Sequence, residues 1–153
     1  MKRTVFLTSL TLILFAAPAL AADKGETVFE ANCSFCHQAG GVGVPGQFPR
    51  LEGRAGRIAG VPEGRRYLLE VMLNGMAGRV TVDGQDILGV MPSLMALSDT
   101  DLAAVLTYVT HLGNTKAMPF TTKDVAAARA LPAMAPGEVA ANRAKLIAAK
   151  VVP

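Results

Sequence analysis

Residues 33–37 read Cys-Ser-Phe-Cys-His, and they hold both cysteines of the 153-residue chain and one of its two histidines. A structural zinc site needs four ligands, and the other histidine, His111, lies far downstream without a partner. A thioredoxin-like redox pair needs a strand before the first cysteine, whereas residues 24–32 have the pattern of a helix. A plain disulfide stays open, but the C-x-x-C-H spacing favours a fourth interpretation, covalent attachment of a haem.

The reach of these side chains explains that preference. Thiols at this spacing can meet the two vinyl groups on one side of a porphyrin, and the adjacent imidazole then lies under the iron. Covalent bonds of this kind prevent loss of the cofactor in the periplasm, so the interpretation depends on where the chain goes.

The first 21 residues have the pattern of a secretory signal peptide. Lys2 and Arg3 precede an apolar core over residues 5–15, and small residues in an A-x-A pattern end at Ala21, where we expect cleavage. An uncleaved membrane anchor is the alternative, but a proline interrupts the run, which is near the minimum spanning length. Bacterial export by the general route would place the protein in the periplasm, with no stable membrane insertion after cleavage.

The charge balance gives no support for a nucleic-acid partner. The whole chain has 15 Lys and Arg against 12 Asp and Glu, and loss of Lys2 and Arg3 with the signal peptide leaves a nearly balanced chain. One segment, residues 50–66, is locally basic. If its arginines share one face they predict a docking surface for an acidic partner protein, and the alternative is that they are solvated without a common face. The arginines of this segment are Arg50, Arg54, Arg57, Arg65 and Arg66.

A haem iron bound by His37 alone would be five-coordinate and open to gases or peroxide. Among the possible sixth ligands Met91 has the most favourable context, because Gly-Val-Met-Pro precedes Ser98-Asp-Thr-Asp101, a variant of the capping box that begins a helix. Met95 is its nearest rival, and we expect most other methionines to fill the core. The remaining candidates are Met72, Met76, Met118, Met134 and His111.

These features together resemble the class I c-type cytochromes. The resemblance rests on the Cys-Ser-Phe-Cys-His motif after a short helix and on residues 89–109, and it covers about residues 23–114. It implies that Cys33 and Cys36 attach one haem c through thioether bonds. It also implies that His37 is the proximal ligand of the iron and Met91 the distal one.

The same resemblance assigns the segment that follows the motif. Phe48-Pro-Arg-Leu51 resembles a Pro-x-Leu element of the family. It implies that the Pro49 carbonyl accepts a hydrogen bond from His37 Nδ1 and that Leu51 packs on the porphyrin. The glycine-rich run over residues 40–46 is expected to be a plain connector.

The expected fold is all-α, the class I cytochrome c fold around one covalently bound haem, with a short hairpin before the Met91 loop and a helical C-terminal extension. The domains are a signal peptide (1–21), a cytochrome c domain (22–114) and an Ala-rich extension (115–153). Gly25 and Phe29 share one face of the first helix. The resemblance implies that this helix crosses the last helix of the domain with a small residue at the contact, and Gly25 permits such a close approach. Helices are predicted at 24–32, 62–74, 102–109, 121–130 and 136–149, and a hairpin at 79–88.

The expected function is a periplasmic single-electron carrier that uses one His/Met-ligated haem c and performs no catalysis. Its partners would be redox proteins, namely a dehydrogenase, an oxidase or a respiratory complex. One alternative is a cytochrome subunit fixed to a periplasmic dehydrogenase or oxidase, for which the extension would be a docking segment instead of a strap over the haem domain. A gas sensor or peroxidase with a labile Met91 is the other alternative.

Overall fold

The computed structural model of the protein describes residues 19–153, with side-chain surroundings from residue 24 onward. The signal peptide predicted for residues 1–21 therefore lies almost wholly outside the described residues. The described part is mostly helical, with one two-stranded sheet. Its helices are α1 (Ala19–Asn32), α2 (Ser34–His37), α3 (Ala55–Ile58), α4 (Pro62–Asn74), α5 (Asp99–His111), α6 (Thr122–Arg129) and α7 (Pro136–Ala148).

The predicted helix ends are confirmed where local chemistry specifies them. Pro62 is the first residue of α4, and Gly75 ends that helix with φ of 73°, a left-handed conformation that glycine adopts readily. Ser98 caps α5, because its hydroxyl accepts a hydrogen bond from the Asp101 amide at 3.1 Å. These caps bound the two helices that flank the hairpin.

The crossing of α1 and α5 forms the centre of the core. A Cβ atom on Gly25 would lie 2.5 Å from the Ala104 carbonyl oxygen and 2.7 Å from Tyr108 Cβ, so the glycine sets the separation of the two helices. One turn later Phe29 is fully buried, with its ring centroid 5.4 Å from that of Tyr108. The predicted close crossing is confirmed, and it fixes the end of α1 that carries Cys33.

The hairpin is longer than predicted. Strand β1 (Met76–Val82) pairs antiparallel with β2 (Gln85–Met91) around Asp83-Gly84, both of which have positive φ as a type I′ turn requires. Met91 is the last residue of β2, paired with Met76, and so lies in the hairpin and not in a loop after it. The sequence pattern missed this because glycines interrupt the alternation at the open end of the hairpin.

The C-terminal segment packs back on the rest of the protein. Helix α6 lies against α4 and α5, and α7 lies against α4 and strand β1. Val125 of α6 and Val139 of α7 are fully buried, so each helix is anchored by one central valine. The two helices of the extension thus pack against the helices and the hairpin strand that precede them.

Candidate functional site

A cleft lies between the region of α2 and one face of the hairpin, with about 780 Å³ of space including its mouth. Most of the surface lining the cleft is apolar. Its walls come from residues 32–37, 47–49 and 76–94, and they include Cys33, Cys36, His37, Pro49, Met76 and Met91.

His37 lies at the base of the cleft as a buried, oriented imidazole. Its side chain is only 7% exposed, and Nδ1 lies 2.8 Å from the Pro49 carbonyl oxygen, the contact expected from the sequence. Because a carbonyl can only accept, Nδ1 carries the proton and Nε2 keeps its lone pair. Burial lowers the pKa of His37, although the bond to Pro49 opposes that shift. The imidazole is therefore neutral and suited to metal ligation, and the Pro49 carbonyl fixes the orientation of its ring.

The glycine-rich run positions Pro49, so it is more than a connector. Gly43 has φ of 69°, and a Cβ atom there would lie 2.6 Å from the Phe48 carbonyl oxygen and 2.8 Å from the Pro49 carbonyl carbon. The Gly43 amide also donates to the His37 carbonyl at 2.8 Å. Only a residue without a side chain lets the loop after α2 approach the 48–50 segment this closely. The sequence pattern predicted a loop here, but it did not show which glycine the close approach to residues 48–50 requires.

Both cysteines line the cleft with free thiols. Burial, followed by the nearby Cys36 and Glu30, raises the pKa of Cys33 to about 11, so this thiol is neutral. Within the described residues no group of three or more His, Cys, Asp or Glu side chains could hold a metal ion. The zinc alternative thus has no support there.

Two methionines line the cleft, and the sequence singled out only one of them. Met91 is half-buried at the end of β2, and Met76 stands opposite it on β1. The named rivals lie elsewhere, since Met95 is 61% exposed and Met118 is 78% exposed. His111 is exposed too, and its ring bonds to the Thr107 carbonyl of its own helix. In the sequence, Met76 directly follows the predicted helix end at Gly75. A methionine in that position is ordinarily interpreted as a core residue.

The backbone around Met91 is held on both sides. A Cβ atom on Gly75 would lie 2.6 Å from the Met91 carbonyl oxygen, so the end of α4 approaches this strand closely. After the strand, the Ser93 hydroxyl donates to the Leu73 carbonyl at 2.6 Å and the Leu94 amide donates to the Met72 carbonyl at 2.8 Å. A rigid helix end thus sets the place of Met91.

The walls fit a flat apolar cofactor. On the cleft face of the hairpin, Gly78 pairs with Gly89 between the methionine pair and the Val80–Ile87 pair. A Cβ atom on Gly89 would meet no atom within 4 Å, so this part of the wall is bare backbone facing open space. A planar macrocycle can approach such a wall closely. The imidazole and thioether groups are the iron ligands that a haem c uses, and the two thiols are the groups that attach it. Leu51 lies outside this lining and packs against the main core instead.

Positive charge lies behind the methionine wall. Tyr67 is buried, its hydroxyl donates to the Met76 sulfur at 3.5 Å, and burial raises its pKa to about 12. Arg143 of α7 is 5% exposed and donates to the Thr81 carbonyl at 3.1 Å. Between residues 24 and 153 this guanidinium forms no ion pair with an Asp or Glu side chain.

Several arginines of the basic segment bond to other parts of the chain, so the segment is less open than the sequence suggested, while Arg57 and the Arg66 side chain stay exposed. Arg50 and Arg54 both reach Asp83, and Arg54 is buried. Arg65 donates to the carbonyls of Met118 and Pro119 and lies 3.9 Å from the Phe120 ring centroid, while Arg66 pairs with Glu70. Long aliphatic stems let arginines serve as internal braces, and a linear count of charge cannot show this.

Comparisons with known proteins agree with the content of the cleft. Residues 20–109 match a family model described as cytochrome c oxidase, cbb3-type, subunit III. One cytochrome c-552 of Thermus thermophilus is 38% identical over 151 residues, covering 95% of this chain and 98% of the relative. A second Thermus thermophilus cytochrome c-552 is 40% identical over 121 residues, or 76% of this chain and 92% of the relative.

A cyanobacterial protein extends the set of relatives. Cytochrome c6 of a Picosynechococcus species is 37% identical over 103 residues, which is 65% of this chain and 81% of the relative. The first Thermus match covers 95% of this chain, so the C-terminal helices, which lie beyond the 20–109 family region, are included in that likeness. From residue 19 to the C-terminus, the structure has no helix with the length and apolar character needed to span a membrane.

Proposed function

We propose that this chain, which belongs to the class I c-type cytochromes, transfers single electrons through a haem c held by Cys33, Cys36, His37 and Met91. The observation that carries the proposal is the bond from His37 Nδ1 to the Pro49 carbonyl, 2.8 Å long, in a cleft that both thiols also line. An imidazole fixed in this tautomer presents Nε2 as a lone-pair donor at the cysteine pair. A histidine that only packs in a core needs neither this fixed tautomer nor two thiols beside it.

The protein's own residues hold the cofactor without exchanging protons during function. Each thiol would add across one vinyl double bond, its sulfur to one carbon and its hydrogen to the other, so that no atom is lost. His37 and Met91 are neutral ligands, and a His/Met pair raises the reduction potential relative to more strongly donating ligands. When bound, haem c supplies an iron that accepts and releases one electron. The apolar lining of the cleft keeps the surroundings dry in both oxidation states.

The proposed location is the periplasm, reached through the signal peptide at residues 1–21. The support is the charged start, apolar core and small-residue ending of that segment. A mass measurement of the protein purified from a periplasmic extract would test it. A chain that begins at Ala22 is the expected result, and one that retains Met1 would contradict it.

A free carrier is favoured over a fixed subunit of a larger enzyme. The matching family model carries the name of an oxidase subunit, so the second possibility has an observation in its favour. However, Val125 of α6 and Val139 of α7 are fully buried against the rest of the chain. These two residues are therefore not available to a partner, although Leu131 and Ile147 of the extension remain exposed. Co-purification of a stoichiometric dehydrogenase or oxidase at moderate salt would overturn the preference.

The central experiment separates covalent attachment from all other uses of the motif. Acid–organic extraction of the purified protein should leave the haem colour with the polypeptide, because thioether bonds survive the treatment. Cys33→Ala should retain a single thioether, and His37→Ala should block maturation. Met95→Leu, which changes an exposed methionine, is the control for handling and expression. Colour that leaves the wild-type polypeptide would refute the proposal.

A further inference from the structure

Met76 and Met91 form a pair of sulfur donors on the cleft wall. They are register partners at the open end of the hairpin, and both line the cleft. Directly opposed residues of an antiparallel pair point to the same face, with Cβ atoms about 4.5–5.5 Å apart. A methionine has three rotatable bonds, so either thioether can reach several positions in front of this pair. Packing in a core explains one such methionine, but not a matched pair facing a cavity.

The two sulfurs differ in what binds them. The Tyr67 hydroxyl donates to the Met76 sulfur at 3.5 Å, and Tyr67 is held on α4 with only 4% of its surface exposed. In the part of the chain that the structure covers, no hydrogen bond reaches the Met91 sulfur. A donor that occupies a sulfur lone pair weakens that sulfur as a ligand. The Met91 sulfur is thus free to bind a metal, whereas the Met76 sulfur already accepts a hydrogen bond from Tyr67.

We propose that Met76 is a reserve sulfur ligand and that Tyr67 is the positioning residue that selects Met91 over it. The inference rests on the proposed function, since it requires a haem in the cleft. Its consequence is that loss of Met91 does not simply open the distal position of the iron. Met76 instead breaks its weak bond to Tyr67 and takes that position from the facing strand.

Leucine variants of the holoprotein test this, because leucine keeps the volume of methionine and removes the sulfur. The readouts are the shifted methyl signal of an iron-bound methionine in the NMR spectrum of the reduced protein, and carbon monoxide binding. Met76→Leu should keep the wild-type signal. Met91→Leu should show a methionine signal at a new position and resist carbon monoxide. The double variant should lose the signal and bind carbon monoxide readily.

Tyr67→Phe tests the selection separately. Removal of the hydroxyl frees the Met76 sulfur, so this variant should show two methionine signals, one at the wild-type position and one at that of Met91→Leu. Met95→Leu, a change of an exposed methionine outside the cleft, should match the wild type in every readout. A single unchanged signal in Tyr67→Phe would overturn the role of Tyr67.

The outcomes distinguish this inference from the function on which it rests. If Met91→Leu binds carbon monoxide as fast as the double variant, Met76 is not a reserve ligand, although the proposed function stands. If Met76→Leu alone loses the signal, the roles of the two methionines are reversed and the inference fails. If the double variant keeps an iron-bound methionine, the ligand comes from outside this pair and the proposed assignment of Met91 fails as well.

Discussion

Replacement of Gly25 by alanine tests whether the α1–α5 crossing determines the fold. The added Cβ atom would lie 2.5 Å from the Ala104 carbonyl oxygen, which belongs to the helix backbone and cannot rotate away. An ordinary non-bonded contact needs about 3.5 Å, so the helices would have to separate by roughly 1 Å. Such a shift loosens the contacts of Phe29, one turn further along α1 and fully buried.

The size of the effect follows from two opposing terms. Alanine is favoured over glycine inside a helix by about 1 kcal/mol. Overpacking of a well-packed core costs about 1–3 kcal/mol, and a backbone obstacle places Gly25→Ala at or above the upper end of that range. We therefore expect the free energy of unfolding to fall by about 2 kcal/mol or more in spite of the better helix former.

The assay is guanidinium unfolding of the holoprotein, followed by far-ultraviolet circular dichroism. The matched control is Gly137→Ala in the first turn of α7, where an added Cβ atom meets nothing within 4 Å. This variant should gain up to about 1 kcal/mol from helix propensity alone. If Gly25→Ala is as stable as the wild type, the close approach of the two helices does not limit the packing and the argument is wrong.

Three further predictions concern the surroundings of the cleft. Gly43→Ala should destabilise the protein by about 1–3 kcal/mol more than Gly40→Ala, since both glycines have positive φ but only the first would clash with residues 48–50. Arg143→Met should lower the reduction potential in a titration, because a buried cation favours the electron-rich state, while Lys145→Met on the exposed side of the same helix should not. A hydrogen bond from the Arg50 guanidinium lowers the pKa of Asp83, so the stability it contributes is present above pH of about 4 and is lost as pH falls through the lowered pKa. Unfolding experiments on Asp83→Asn should show a deficit at neutral pH that disappears in acid.

Much of this fold can be predicted from local sequence, because caps and turns act over a few residues. Ser98, Pro62 and the Asp83-Gly84 turn each specify an element end through their own backbone chemistry. The crossing at Gly25 is predictable too, since a glycine on an apolar helix face has few other uses. The cleft can be predicted for the same reason. Its parts, namely the cysteine motif, the Pro49 segment and Met91, are each short motifs that follow one another in a fixed order.

The features that sequence reasoning missed depend on contacts between distant segments. The role of Met76 follows from its pairing with Met91, which an extended hairpin creates across a turn. The arginines between residues 50 and 66 are a clear charge cluster in the sequence, yet most of them bond to distant carbonyls or carboxylates. Neither outcome is visible in a local window, because the partners of Met76, Arg50, Arg54 and Arg65 lie more than ten residues away.

The final prediction concerns the C-terminal extension and Met91. Arg129 of α6 donates to the Met95 carbonyl at 2.8 Å and the Leu97 carbonyl at 2.6 Å, and it pairs with Asp99 at 2.7 Å. These acceptors all lie between the end of β2 and the start of α5. The extension thus braces the segment that follows Met91, and loss of the brace should let that segment open more often.

Arg129→Met removes these bonds and should speed the entry of imidazole at the iron of the oxidised protein. Hydrogen bonds to a charged group contribute about 1.5–3 kcal/mol each when buried, and partial exposure reduces this to a total of about 1–2 kcal/mol. Because 1–2 kcal/mol is a factor of about 5–30 in an equilibrium, binding limited by opening should accelerate by about that factor. Lys123→Met on the same helix is the matched control and should bind at the wild-type rate. Equal rates for Arg129→Met and the wild type would mean that α6 does not restrain the Met91 segment, and the extension would then act on stability alone.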